Sequence, residues 1–513
     1  MQKIRSVTFA TLWLFSILVI LLACNDNSEN YSNNPQDVLA FSTDTLSFDT
    51  VLTTVNSPMQ AFRVYNPNNR PLLISSISLA EGENSNFRIN VDGYAGSTFQ
   101  DIAIRANDSL YVIVNVKPVE NGQSTPIQFT DYIVFVTNSV QQKVVLQAYG
   151  QDVYKRQGLV LDKDTTLSNF KPFLILDSLV INEGVTAEIQ EGSTFFMGNN
   201  AQVIVHGTLK IKGTVENPVV FRGSRTDNLP LSPPVPYDLV PGQWGGIRFD
   251  STSYNNELEN VRIRNGKFGM DFKASDPTRE KITMKNVVLT NVTNTLIYAE
   301  NCNITAENCE FSNARFYLLD LIGGKYKFTH CTIANYYPQA SNESGWGTTN
   351  NQTLSLSDTI FGELYPVLGF DVSNSIIAGA MTSSKMSISL EQTPSEPFNF
   401  LNCVFTNDKS DESYIKSTDC IFKVNSDSLF QKVDYRDEKG DFLPVYDFGL
   451  LENSPARNVA NLEISQQIPY DLRGVNRLED GLPDAGAYEF TPQPPKGGIS
   501  AVNSPFRGSG GIK

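Results

Sequence analysis

The stretch from residue 174 to residue 223, LILDSLVINEGVTAEIQEGSTFFMGNNAQVIVHGTLKIKGTVENPVVFRG, decides the fold. Short apolar runs alternate with Gly, Asn or Asp turns, and no helical period runs through it. Downstream a short unit recurs: Asn260-Val261-Arg262-Ile263, Asn286-Val287-Val288-Leu289, Asn308-Cys309-Glu310-Phe311 and His330-Cys331-Thr332-Ile333. It continues with Asn374-Ser375-Ile376-Ile377, Asn402-Cys403-Val404-Phe405 and Asp419-Cys420-Ile421-Phe422. Measured at the second residue, the steps are 26, 22, 22, 44, 28 and 17. One short strand per turn at such periods indicates a solenoid. Small or apolar residues recur at one position because successive coils stack ~4.8 Å apart and like side chains form ladders. An Asn before each strand can bond to the neighbouring turns. The step of 44 is expected to hold two coils, with Asp358-Thr359-Ile360-Phe361 as the intervening rung.

The repeat resembles the right-handed parallel β-helix. Residues 181–223, followed by Trp244-Gly245-Gly246-Ile247, look like the first coils of that family. The ending SPARNVANLEISQQIPYDLRGVNRLEDGLPDAGAYEF (454–490) resembles the closing segment of exported β-helix proteins of the choice-of-anchor type. The matched positions are Ser454-Pro455, Asp471, Gly474, Arg477 and Asp484-Ala485-Gly486-Ala487-Tyr488-Glu489. The resemblance implies a β-helix over 158–490. After Phe490, TPQPPKGGISAVNSPFRGSGGIK (491–513) has the composition of a disordered tail.

Upstream, residues 41–152 change to period-two runs such as Gln60–Tyr65, Leu110–Val114, Tyr132–Val136 and Val144–Leu146, separated by turn clusters such as Asn66-Pro67-Asn68-Asn69. About seven strands over ~110 residues predict a β-sandwich. The segment FRVYNPNNRPLLISSISL (62–79) resembles the immunoglobulin-like domains at the base of many bacterial surface proteins, which implies a spacer or docking module. The predicted fold class is therefore all-β: an immunoglobulin-like β-sandwich followed by a right-handed parallel β-helix solenoid.

At the N-terminus, Lys3 and Arg5 precede an apolar run from Val7 to Ala23 that ends in Leu21-Leu22-Ala23-Cys24 and turns polar at once. A basic start, a short apolar core and a small residue before the cut predict an export signal over 1–23. Leu-Leu-Ala-Cys resembles the bacterial lipobox, which implies that Cys24 carries a diacylglycerol and tethers the mature chain to a membrane. Each buried CH2 of such an anchor contributes roughly 0.8 kcal/mol. Loss of Lys3 and Arg5 would take the net charge from -15 to -17. Residues 24–40, polar and Asn-rich, read as a flexible tether. Lipobox, immunoglobulin-like domain and β-helix in this order resemble a Bacteroides-type surface lipoprotein. That implies the outer membrane, with display outside the cell favoured; Asp26 and Glu29 follow the cysteine.

Composition narrows the function. The 513 residues hold 40 Lys plus Arg against 55 Asp plus Glu, so no basic surplus exists to meet a phosphate backbone, which argues against nucleic acid as a partner. The two histidines, His206 and His330, stand too far apart in sequence to suggest a His-rich zinc centre, and both are expected to be structural. No G-x-S-x-G, H-E-x-x-H, P-loop or C-x-x-C occurs. Cys302, Cys309, His330 and Cys331 could be drawn as a zinc site, yet a ladder of small buried thiols explains them better. Parallel side chains on neighbouring coils are also poorly aimed for a disulfide. No cofactor is expected.

Function thus reads as a lipid-anchored scaffold or glycan- or matrix-binding protein. The alternative is a polysaccharide lyase or glycoside hydrolase, for which Arg262, Arg264, Lys267, Asp271 and Lys273 form the densest mixed cluster. For glycan binding, Trp346 in the polar stretch 335–352 is expected to stack on sugar with Tyr336 or Tyr337. The loop RTDNLPLSPPVPYDLVPGQ (225–243), with Tyr237, would form a stiff wall beside it, while Trp244 is assigned to packing. Asp-Ser/Thr triplets at Thr45, Thr50, Ser109, Thr165, Ser178, Ser251, Thr359 and Ser428 resemble acceptors for O-glycosylation of exported Bacteroides-type proteins. Ordinary turn chemistry would produce the same triplets.

Overall fold

The computed structural model describes residues 30–338, 352–379 and 386–492. The chain is nearly all β with one large parallel sheet. It separates into two compact units: residues up to Gln151 apart from Gln123–Thr125, and Asp152 onward together with Gln123–Thr125. Among the described residues no helix is long and apolar enough to cross a membrane.

The first unit holds two five-stranded sheets. One runs Ala40–Phe41, Gln60–Tyr65, Ser109–Val116, Phe87–Val91, Tyr94–Gly96; the other runs Thr45–Leu52, Val140–Gln151, Ile127–Thr137, Leu72–Leu79, Thr98–Ile104. Alternate residues turn inward, so Phe62, Val64, Val112 and Val114 meet Ile74, Ile77, Phe135 and Leu146 in one buried cluster. Residues 31–40 differ from the tether expected of them. Ser32 and Leu39 are buried, and Leu39 exchanges backbone bonds of 3.0 and 2.8 Å with the Gln142 side chain. The buried leucine acts together with Ser32 N bonded to Pro71 O and Asn138 Nδ2 bonded to Asn34 O and Asp37 O.

In the second unit, the strands of the large sheet fall into three columns, each strand pairing in parallel with the next of its column. The first column includes Thr208–Lys212, Ile282–Val292 up to Lys285, Asn303–Glu307, Gly324–Thr329, Val367–Ser373 and Phe398–Leu401. The second takes the residues just after, including Glu310–Ala314, Thr332–Asn335 and Ile376–Gly379. The third includes Gln202–Val205, Gly246–Phe249, Met270–Phe272, Ile297–Glu300, Tyr317–Ile322, Gln352–Ser357 and Met386–Ser389.

Between the first and second columns the chain turns at Asn260, Asn286, Asn308, His330, Asn374, Asn402 and Asp419, all with φ between 49° and 57°. These are the residues that precede each recurring unit. Asn and Asp tolerate the left-handed region better than other side chains. Asn286 Nδ2 reaches Asn260 Oδ1 at 3.2 Å and Asn308 Nδ2 reaches Asn286 Oδ1 at 2.6 Å. The register also corrects the step of 44. Thr332 pairs directly with Ile376, so one coil, not two, separates Cys331 from Ser375. Thr359–Ile360 is no rung; it pairs antiparallel with Glu363–Leu364 as a hairpin inserted in that coil.

Inside, like residues stack at the strand spacing. Phe173, Phe195 and Phe221 lie ring on ring at 4.9 and 4.6 Å, and fully buried Trp244 caps the pile at 6.5 Å. Trp244 Nε1 donates to Arg264 O at 2.9 Å, which fits its packing assignment. The closing segment lies over the outside of the second column. Ala485, Ala487 and Tyr488 bury against Ala334, Ile376, Ala378 and Val404. Gly486 N donates to Asn374 O, and a Cβ there would stand 2.7 Å from Ile376 Cδ1.

Candidate functional site

The outward positions of the third column carry the most chemistry. Each strand there contributes an apolar–X–apolar triplet whose flanking residues are buried: Ile247-Arg248-Phe249, Met270-Asp271-Phe272, Ile297-Tyr298-Ala299, Leu319-Asp320-Leu321 and Leu354-Ser355-Leu356. Period-two geometry then aims every central residue outward. The register puts those central residues in one line, Arg248 beside Asp271, Asp271 beside Tyr298, Tyr298 beside Asp320, and Asp320 beside Ser355.

Local contacts tie the line together. Lys273 Nζ sits 3.1 Å from Asp271 Oδ1, 3.9 Å from Glu300 Oε1 and 5.6 Å from the Tyr298 ring centre. Burial, with a hydrogen bond to Glu300, holds the Tyr298 hydroxyl protonated far above the usual tyrosine range. Burial also raises the Asp320 carboxyl, against the opposing effect of a Ser355 hydroxyl bonded to it. Arg248 is drawn to Asp250 at 2.8 and 2.6 Å, and the same carboxylate takes His206 Nδ1 at 2.6 Å. The result is a half-exposed tyrosine face with carboxylates on both sides and a lysine above it. Such a strip can cover an apolar sugar face and bond to hydroxyl groups.

Other outward faces pair their charges. On the first column Glu188, Lys210 and Glu257 alternate in register, as do Lys212, Glu259, Lys285 and Glu307. Lys210 meets Glu257 at 3.0 Å and Lys285 meets Glu307 at 3.4 Å. These are solvated surface pairs worth little individually.

The expected sites fare differently. Tyr336 and Tyr337 are buried, which removes them as sugar-stacking platforms. Tyr336 packs edge-on against Phe430 at 6.1 Å within the cluster under the closing segment. Two consecutive aromatics at the end of a strand read as exposed loop only while that cover is unknown. Trp346 and Cys24 lie outside the described residues. The 225–243 loop is pinned by Asp238, which takes Arg264 at 2.8 and 3.0 Å and Arg222 at 3.1 Å; the Arg225 guanidinium covers Tyr237 at 3.6 Å. The mixed cluster divides, since Arg262 and Arg264 belong to the second column and Asp271 and Lys273 to the third.

Among the O-glycosylation candidates, Ser251 is exposed and Thr45, Thr50, Ser109, Thr165, Ser178, Thr359 and Ser428 are partly exposed. His330 is buried, its Nε2 within 2.9 Å of Ser465 Oγ and 3.0 Å of Asn374 Nδ2. Cys309 and Cys331 are buried neighbours in register. Among the described residues no group of three or more His, Cys, Asp or Glu is arranged to hold a metal ion. Sequence reading missed Arg248, Tyr298, Asp320 and Ser355. Their signal, the apolar–X–apolar triplet, recurs at uneven steps because loops of different length separate the coils.

No protein-family model and no curated protein matches the chain. Solved structures resemble parts of it weakly. A Porphyromonas gingivalis protein of unknown function is 13% identical over 22% of this chain and 46% of its own, at a TM-score of 0.17. A family 123 glycoside hydrolase from Clostridium perfringens, described for glycolipid glycan hydrolysis, is 9% identical over 23% and 30%, also at 0.17. The E. coli chaperone DraB is 9% identical over 22% and 55%, at 0.16. In each case the match spans less than two thirds of the other chain, and at these TM-scores the likenesses bear on neither fold nor function.

Proposed function

We propose that this chain is a lipid-anchored cell-envelope protein whose three columns close as a right-handed parallel β-helix, preceded in the chain by an immunoglobulin-like sandwich, and which binds a polysaccharide or matrix glycan without cleaving it. The observation that carries the binding reading is the alignment of Arg248, Asp271, Tyr298, Asp320 and Ser355 on successive strands. Stacked parallel strands offer a regular line of partners about 4.8 Å apart, suited to an extended chain of sugars. Cys24, bearing diacylglycerol, supplies the membrane contact, and the outer membrane is the compartment this implies. The test is binding of the full chain to a panel of neutral and uronate-containing glycans. Tyr298→Ala should weaken any bound glycan about tenfold, roughly 1–2 kcal/mol, with an unchanged circular dichroism spectrum. Unchanged affinity would remove the strip from consideration.

One observation favours a second reading, glycoside hydrolysis. Asp271 and Asp320 lie two strands apart, which sets their Cα atoms roughly 9–10 Å apart, close to the roughly 6.5–9.5 Å between carboxyl groups of an inverting pair. The raised Asp320 would then serve as the acid and Asp271 as the base. Release of reducing ends from any panel glycan, lost in Asp320→Asn, would establish this reading over the first.

A further inference from the structure

The parallel sheet ends on two adjacent thiols. Val404 and Ile421 form the last bridge of the second column, which places Cys403 beside Cys420. The Cys403 amide donates to Cys420 Sγ at 3.4 Å. Cys403 is fully buried, whereas Cys420 is the one partly exposed thiol among the described cysteines. Neighbouring strands stand ~4.8 Å apart, within the roughly 4.4–6.8 Å that a disulfide spans between Cα atoms.

We propose that Cys403 and Cys420 are a disulfide-forming pair that fastens the last strand of the parallel sheet, with Cys420 the thiol that an external disulfide meets first. Side chains aligned on neighbouring parallel strands meet a disulfide poorly, so one strand has to shift slightly. Ile415–Thr418 can do so, because among the described residues it pairs only with Phe398–Leu401 and its other edge is free. The equivalent pair Cys309 and Cys331 cannot. Both are fully buried, and their strands are held by neighbours on each side.

The chemistry needs only a disulfide as oxidant. Bonding to the Cys403 thiol, then to its amide, outweighs burial and brings Cys420 down to about 7, so a good part of it is thiolate near neutrality. That thiolate attacks one sulfur of the external disulfide, forming a mixed disulfide and releasing one thiolate. The Cys403 sulfur, giving up its proton to solvent, then attacks Cys420 Sγ and expels the second thiol. Two protein thiols are oxidised, one external disulfide is reduced to two thiols, and the new S–S bond closes residues 403–420 into a loop.

The full chain would be incubated with oxidised glutathione, alkylated after unfolding, digested and mapped by mass spectrometry. The expected result is a Cys403–Cys420 crosslinked peptide with Cys309 and Cys331 recovered as alkylated thiols. Oxidation should also raise the unfolding temperature by a few degrees, and this gain should vanish in Cys420→Ser. Cys403→Ser should instead leave a lasting glutathione adduct on Cys420. Because Cys403 is buried and its replacement could unfold the end of the sheet, the wild-type map and the partly exposed Cys420→Ser variant decide the matter without it. Recovery of Cys420 as a glutathione adduct in the wild type, or of both residues as free thiols, would overturn the proposal.

Discussion

At the scale of single residues, the corner between the first two columns shows how backbone strain selects side chains. Five asparagines and one aspartate accept φ near 50°, and His330 stands in the same slot at 51°. An imidazole is tolerable there because it bridges Asn374 and Ser465, of which the latter belongs to the closing segment. Burial, and then the Arg477 charge, push its pKa well below the ordinary range, so the ring is neutral at physiological pH. His330→Val should cost about 3 kcal/mol, combining a β-branched residue at positive φ with unpartnered buried groups. His330→Asn should cost clearly less, since asparagine suits the backbone. Equal losses for the two in urea unfolding would show that φ does not govern this position.

At the scale of elements, identical positions on successive strands become one another's environment. Val287, Cys309, Cys331, Ser375, Cys403 and Cys420 form one such line, each a coil from the next. All of them are small or mid-sized, and all but Cys420 are buried. Val287 is fully exposed to its neighbours and not at all to water. Val287→Asp would therefore bury a carboxylate between coils, at several kcal/mol, and thermal melting should fall by many degrees. A wild-type melt would mean that the line is not interior.

At the scale of the molecule, the closing segment links distant turns through a buried charge cluster. Arg477, fully buried, bonds to Asn308 Oδ1 at 2.8 Å and Gly486 O at 3.0 Å, and meets Glu489 Oε2 at 3.4 Å. Asp471 accepts the amides of Arg473, Val475 and Glu489, while Tyr488 donates to Glu310. Burial, with the nearby Asp484 charge, raises the Glu489 carboxyl from an ordinary 4.5 to about 8. A carboxyl raised on folding contributes stability that is complete below 4.5 and is lost as pH rises through about 8. His330 acts in the opposite sense, its contribution being lost as pH falls below 6.5, whereas burial raises Asp484 and Glu310 in the same direction as Glu489, so a decline between 6.5 and 8 belongs to this group of carboxyls. Protection of the closing segment, taken as its hydrogen exchange relative to the intrinsic rate at each pH, should fall over that interval in the wild type and fall clearly less in Glu489→Gln. On the anchor, Cys24→Ala should abolish lipid attachment and release the chain from the membrane fraction; retention with normal processing would refute it.

The sequence alone determined the periodic content. Alternating runs required strands, the asparagines before the recurring unit marked the corners, and the spacing of Val261, Val287, Cys309 and Cys331 located the coils, because these depend on local geometry and one-dimensional period. Only the tertiary structure decided what lies over each face. Tyr336 looks like a loop aromatic until Phe430 and Phe448, more than ninety residues downstream, pack against it. The 44-residue step looks like two coils until Thr332 pairs with Ile376. Asp271, Tyr298 and Asp320 form a line only because loops of unequal length return the chain to the same register. Contacts between coils depend on where the chain comes back, and a period measured along the sequence carries no record of that when insertions vary.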